Sequence, residues 1–326
     1  MSNSNLQREL SRFFVKTTLA STYKPYFLKA LLELTDYDDP SKHLVYQKDW
    51  IRKTNEGLEV KLDFIASRFG YYYWDPHFKF NLRQSPNRSD DVHIHIILKE
   101  FRDMLTKNKR KASIGHRPKI TVFCSPKYSQ IRSRIISRCI KPDVLWRLLK
   151  DCKIYSIGKN GASIIVPYEI LEHVKRNKSI IEEAINFVIT AYLEKCNNSP
   201  QIATKISEQE PVSQLPKNVF AKISSLQKGL CFYCNKRTGL VQEHVIPKDY
   251  VWETKPYNIV GACKECNGKK WYDKLPSESI FDEILTRNDS SELSELMRKA
   301  SYSRESYELQ YKNCHLDYTS KYWQPS

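Results

Sequence analysis

Two Cys-x-x-Cys pairs, Cys231/Cys234 and Cys263/Cys266, constrain this chain more than any other feature. A two-residue gap lets both sulfurs of a pair turn toward one point, and four thiolates satisfy a tetrahedral Zn²⁺. The pairs therefore predict a zinc site that pins two distant stretches of chain together. A closed set of four sulfurs leaves no open position on the metal, so its expected role is structural. The intervening loop is longer than in a minimal zinc ribbon and has room for secondary structure of its own. Val241-Gln242-Glu243-His244-Val245-Ile246-Pro247 reads as a short strand stopped by proline. Asn258-Ile259-Val260 precedes the second pair, and Asn267-Gly268-Lys269-Lys270 is placed to start a short helix. The expectation is a β-β-α hairpin stapled by metal.

Inside that hairpin stand Glu243-His244 followed by Val-Ile-Pro, then Asn258, then Cys-x-x-Cys-Asn ending at Asn267, with Lys270 three residues on. In order and spacing the segment, residues 217–276, resembles the HNH nuclease domain, the ββα-metal fold, in its zinc-stapled form. The last family position is Asn, so it is similar to the H-N-N subtype, and Glu243 stands where Asp is commoner. Both departures keep an oxygen ligand. The resemblance implies phosphodiester hydrolysis with three catalytic positions, His244, Asn258 and Asn267. His244 is the implied general base, because a neutral imidazole can take a proton from water near neutral pH. Glu243 and Asn267 are the implied ligands of a hard catalytic cation, Mg²⁺ or another divalent ion. Asn258 is the implied anchor that aims the base. Arg237, Lys269 and Lys270 are the candidate phosphate contacts.

Charge agrees with a polyanionic partner. The chain carries 53 Lys and Arg against 37 Asp and Glu, a formal balance of +16, which argues about partners rather than fold. Residues 217–276 hold 11 Lys and Arg against 5 acids, so most of the excess lies outside the hairpin. The expected partner is DNA, with the remaining basic residues adding nonspecific contact. Nine cysteines, an odd number with five outside the knuckles, point to a reducing, cytoplasmic setting rather than a disulfide scaffold. No signal-peptide pattern opens the chain and no apolar run reaches membrane-spanning length, so no membrane partner is expected.

Along the chain, 5–35 reads as helix, and 57–70 as a second helix through Leu58, Val60, Leu62, Ile65, Ala66 and Phe69. Tyr71-Tyr72-Tyr73-Trp74 reads first as core and second as a base-stacking surface. Asn81–Asp91 reads as loop, and His93 and His95 as structural histidines at the start of an apolar-periodic segment. The most basic stretch, 102–119, is either a phosphate grip or a solvated loop. Ile120–Phe123, Ile154–Ile157 and Ala162–Val166 read as short strands, and 131–149 and 179–196 as helices. Ser279–Arg287 and Ser291–Leu309 read as C-terminal helices.

The expected fold class is α+β. A mostly helical N-terminal domain with short strands (1–197, substrate-recognition or partner-docking, winged-helix-like or another DNA-reading module) precedes a Ser/Gln/Pro/Glu-rich linker (198–216). The ββα-metal domain (217–276) and a helical extension (277–326) follow. The expected function is a metal-dependent DNA endonuclease, similar in arrangement to restriction and antiviral-defence nucleases of prokaryotes. Two alternatives stand beside it: a noncatalytic zinc-stapled nucleic-acid-binding module, and a toxin-like nuclease effector controlled by a protein partner. Cutting both strands with one active site per chain calls for a homodimer or sequential nicking.

Overall fold

The computed structural model describes residues 8–9, 12–14, 19–39, 44–87, 92–106, 116–270 and 273–324. The chain mixes helix and strand, in line with the α+β expectation. It divides into two compact units, Met1–Cys196 and Asn197–Ser326. No helix among the described residues is long and apolar enough to cross a membrane.

The first unit begins with α1 (Tyr23–Glu33) and a four-stranded antiparallel sheet in the order β1-β2-β4-β3. Its strands are β1 (Ile51–Lys53), β2 (Gly57–Lys61), β3 (Ser156–Ile157) and β4 (Ser163–Pro167). Residues 57–61 are thus strand, not the start of a helix. Leu58 and Val60 recur at a period of two, both are buried, and they face Val166 and Ile164 across the ladder. Gly57 permits that pairing, since a Cβ there would lie 2.1 Å from the Val166 carbonyl oxygen. The helix proper is α2 (Leu62–Trp74), whose Phe64, Ile65, Phe69 and Tyr73 are fully buried.

Tyr72, Tyr73 and Trp74 belong to the core and cannot present faces to bases. The Tyr72 hydroxyl donates to Glu33, and the Tyr73 hydroxyl lies 2.6 Å from Thr22 Oγ1. On α3 (His93–Thr106), His95 is buried and stacks on His77 at 3.9 Å. Ile120–Phe123, expected as strand, is helical as α4 (Ile120–Cys124). It has no ladder partner, and the Arg132 guanidinium satisfies the Phe123 and Ser125 carbonyls at 2.9 and 2.8 Å. From the basic stretch 102–119, residues 107–115 lie outside the described ones. Arg102 stacks on Phe78, and Arg117 lies over Tyr71 with Asp75 at 3.5 Å. The unit continues through α5 (Ser129–Ile135), α6 (Arg147–Asp151), α7 (Tyr168–Arg176) and α8 (Lys178–Cys196).

The second unit starts at Asn197, and the expected linker is packed chain rather than free tether. It contains α9 (Ile202–Ile206), where Lys205 is buried and donates to Tyr250 O at 2.5 Å. After α10 (Lys217–Leu226) come β5 (Leu240–His244), α11 (Lys248–Val251), β6 (Ile259–Cys263) and α12 (Lys264–Lys270). β5 and β6 are antiparallel, with Glu243 opposite Val260 and His244 opposite Ile259. With the short α11 in the connection between the strands, β5, β6 and α12 follow one another as strand, strand and helix. β7 (Leu275–Pro276), α13 (Glu278–Asn288), α14 (Ser294–Lys299), α15 (Arg304–Asp317) and β8 (Tyr322–Trp323) complete the unit. The C-terminal helices are not an appendage: Phe281, Ile284, Met297, Tyr307 and Tyr311 share one core with Val245, Ile246 and Val260.

Candidate active site and metal centre

The hairpin is held at its open end by sulfur. The ligand atoms of Cys231, Cys234, Cys263 and Cys266 all lie within 4.8 Å of one another, a set that can hold a metal ion such as Zn²⁺. Among the described residues no other group of three or more His, Cys, Asp or Glu side chains converges in this way. Backbone amides support the sulfurs: Cys263 N donates to Cys231 Sγ at 3.2 Å, and Cys266 N to Cys263 Sγ at 3.3 Å. The Cys266 amide is the main reason the Cys263 thiol sits below its ordinary pKa, which suits a thiolate ligand.

Glu243 and His244 end β5, and Asn267 lies in the first turns of α12. The hairpin brings all three to one cavity of about 430 Å³, lined also by Val241, Lys248, Lys264 and Gly268. Glu243 is 8% exposed. Its Oε1 accepts from Lys270 Nζ at 2.9 Å, and the residue lines the cavity. Burial raises the Glu243 pKa, and the Lys270 ammonium opposes that shift. The Glu243 carboxylate and the Asn267 amide on one cavity are oxygen donors of the kind that hard divalent cations take.

His244 is half-buried. Burial is the first cause that pushes its pKa down to about 3, followed by the charges of Lys248 and Lys270, with the Glu253 carbonyl acting the other way. The ring is therefore neutral at pH 7, and burial makes it a weaker base than a free imidazole. Its Nε2 lies 3.2 Å from Thr254 Oγ1. Asn258, 1% exposed, fixes the turn between base and proline: Oδ1 accepts from Ile246 N at 2.8 Å, and Nδ2 donates to Ile246 O at 3.0 Å. Tyr307 reaches in from α15 and donates to the same Oδ1 at 2.8 Å.

Three cationic candidates are placed differently from the expectation. Lys270 is no phosphate contact. It is 1% exposed, and its ammonium donates to Glu243 and to His244 O at 2.7 Å, so it braces the hairpin from within. Arg237 and Lys269 are exposed, but neither lines the cavity, and Lys269 pairs with Glu265 at 2.8 Å along its own helix. Lys248 and Lys264, which line it together with Lys270, escaped sequence reasoning. Lys248 follows His244 by one helical turn's worth of chain, a spacing that offered a signal. Lys264, between two cysteine ligands, is read most easily as filler. No protein-family model, no curated protein and no solved structure matches this chain.

Proposed function

We propose that the second unit is a metal-dependent endonuclease domain of the HNH type, acting on DNA. The observation that carries this reading is the meeting of Glu243, His244 and Asn267 on one cavity beside Lys248 and Lys264. A water between His244 and a bound phosphodiester would give its proton to the neutral imidazole as its oxygen attacks phosphorus. The phosphorus–oxygen bond to the 3′ side breaks, and that oxygen leaves with the electron pair and takes a proton from solvent. Lys248 and Lys264 attract the phosphate and offset its charge. The Glu243 carboxylate and the Asn267 side chain would hold the divalent ion, which when bound supplies Lewis-acid stabilisation of the phosphate and the leaving oxygen. Zn²⁺ on the four cysteines has the structural role. Lys270 favours the ionised form of Glu243 against the effect of burial, and Asn258 keeps the base in place.

The setting we propose, restriction or antiviral defence in the cytoplasm with the first unit selecting the substrate or a protein partner, rests on the arrangement of domains alone. One catalytic constellation per chain suits a dimer or sequential nicking. A noncatalytic nucleic-acid-binding role draws support from one contact: the Lys270–Glu243 pair gives Glu243 a structural job of its own.

Supercoiled plasmid incubated with purified protein and Mg²⁺ or Mn²⁺ decides between them. The nuclease reading expects nicked or linear product, and a loss of about 100-fold or more in His244→Ala with zinc content and melting temperature unchanged. Salt-sensitive binding with no cleavage under either metal would establish the noncatalytic module instead.

A further inference from the structure

We propose that Thr254 is the positioning residue of His244, and that residues 198–215 act as a strap that holds it in place. This inference rests on the nuclease reading for its catalytic consequence, though not for its geometry. Alternate residues of the loop after His244 are tied to the strap in register. Tyr250 donates through its hydroxyl to Asn198 O at 3.1 Å and accepts at its carbonyl from Lys205. Trp252 Nε1 donates to Gln209 O at 2.9 Å. Thr254 Oγ1 donates to Val212 O at 2.6 Å. The strap closes on β5, where Gln242 takes Leu215 N at 2.7 Å and gives to Leu215 O at 3.1 Å.

The third tie has a chemical consequence. A hydroxyl has one proton, and the Thr254 proton is committed to the Val212 carbonyl. Toward His244 Nε2, 3.2 Å away, the same oxygen can only accept. That contact is a hydrogen bond only with the imidazole proton on Nε2, which leaves Nδ1 as the bare nitrogen that takes a proton from water; the Glu253 carbonyl is the other acceptor acting on the ring. The chain His244 Nε2–H to Thr254 to Val212 O sets which nitrogen is basic, as an orienting partner does for any catalytic imidazole. The other tautomer would present an N–H where an acceptor is needed. The carbonyl that completes this chain lies in the stretch before α10 of the second unit, so the base is built partly by residues outside the hairpin.

The test is nitrogen-15 NMR of the full-length zinc-loaded protein at neutral pH, with the His244 ring signals assigned by their loss in His244→Ala. We expect a bare Nδ1 and a protonated Nε2. Thr254→Val should mix the two tautomers and lower kcat on plasmid about 10-fold or more with KM little changed. Thr254→Ser should restore both readouts, because it keeps the hydroxyl. A wild-type ring protonated at Nδ1 would overturn the proposal. So would wild-type tautomer and kcat in a folded Thr254→Val. Should the wild-type protein cleave nothing, the nuclease reading fails, and the tautomer measurement alone still decides whether Thr254 orients the ring.

Discussion

At the scale of single residues, the site depends on two buried side chains that touch no substrate. Asn258 makes three buried hydrogen bonds: its Oδ1 accepts from Ile246 N and from the Tyr307 hydroxyl, and its Nδ2 donates to Ile246 O. Asn258→Ala strands three buried groups, each costing about 1–3 kcal/mol when left unpaired. We expect it to lower the stability of the second unit by about 3 kcal/mol in urea titration and to release the base loop. Asn258→Asp keeps the acceptor but not the donor to Ile246 O, and should fall between Ala and wild type. Lys270 is the second such residue. Removing its ammonium leaves the Glu243 carboxyl buried without its partner, a change that costs about 3–5 kcal/mol. Lys270→Met alone should be strongly destabilising, and the double variant Lys270→Met/Glu243→Leu should recover most of the loss. Equal destabilisation in the single and double variants would mean that packing, not the ion pair, is what Lys270 supplies.

At the scale of elements, the hairpin is only five residues on each strand and depends on its staple. Small structural zinc sites contribute on the order of 10 kcal/mol of folding free energy. Cys231→Ser or Cys263→Ser is therefore expected to abolish bound zinc and to unfold β5, β6 and α12, read as loss of amide-exchange protection there. A fully protected, zinc-free variant would remove the structural role of the metal. The same elements were largely legible in the sequence. Metal-ligand spacing, the proline after Val245-Ile246 and the order of Glu243, His244, Asn258 and Asn267 are all local signals. What stayed hidden was set at long range. Leu58 and Val60 satisfy a helical period as well as a strand's, and only the distant partners Val166 and Ile164 choose between them. Ile120–Cys124 has strand-like residues, yet the Arg132 guanidinium caps its carbonyls and no neighbouring strand exists to pair with it among the described residues. Lys270 read as a surface cation because nothing in its neighbourhood announces that its ammonium folds back 27 positions to Glu243.

At the scale of the whole molecule, each unit has its own core and carries a histidine that burial keeps neutral, so acid should act on both. In the first unit His77 is pushed down to about 2, chiefly by burial and then by His95, Lys99 and Arg102. In the second, His244 is pushed down to about 3. An unfolded histidine titrates near 6.5. Between that value and the folded one, the unfolded chain binds the extra proton, so stability rises with pH across the window and is lost as pH falls below about 6.5. The loss attributable to each histidine is on the order of a few kcal/mol by pH 3. His77→Phe should flatten the acid dependence of the first unit's melting transition and leave that of the second unchanged. A zinc chelator at pH 7.5 should do the reverse, lowering the second transition and sparing the first, since the four sulfurs all belong to Asn197–Ser326. If one cooperative transition moved as a whole under both treatments, the two units would be a single thermodynamic body.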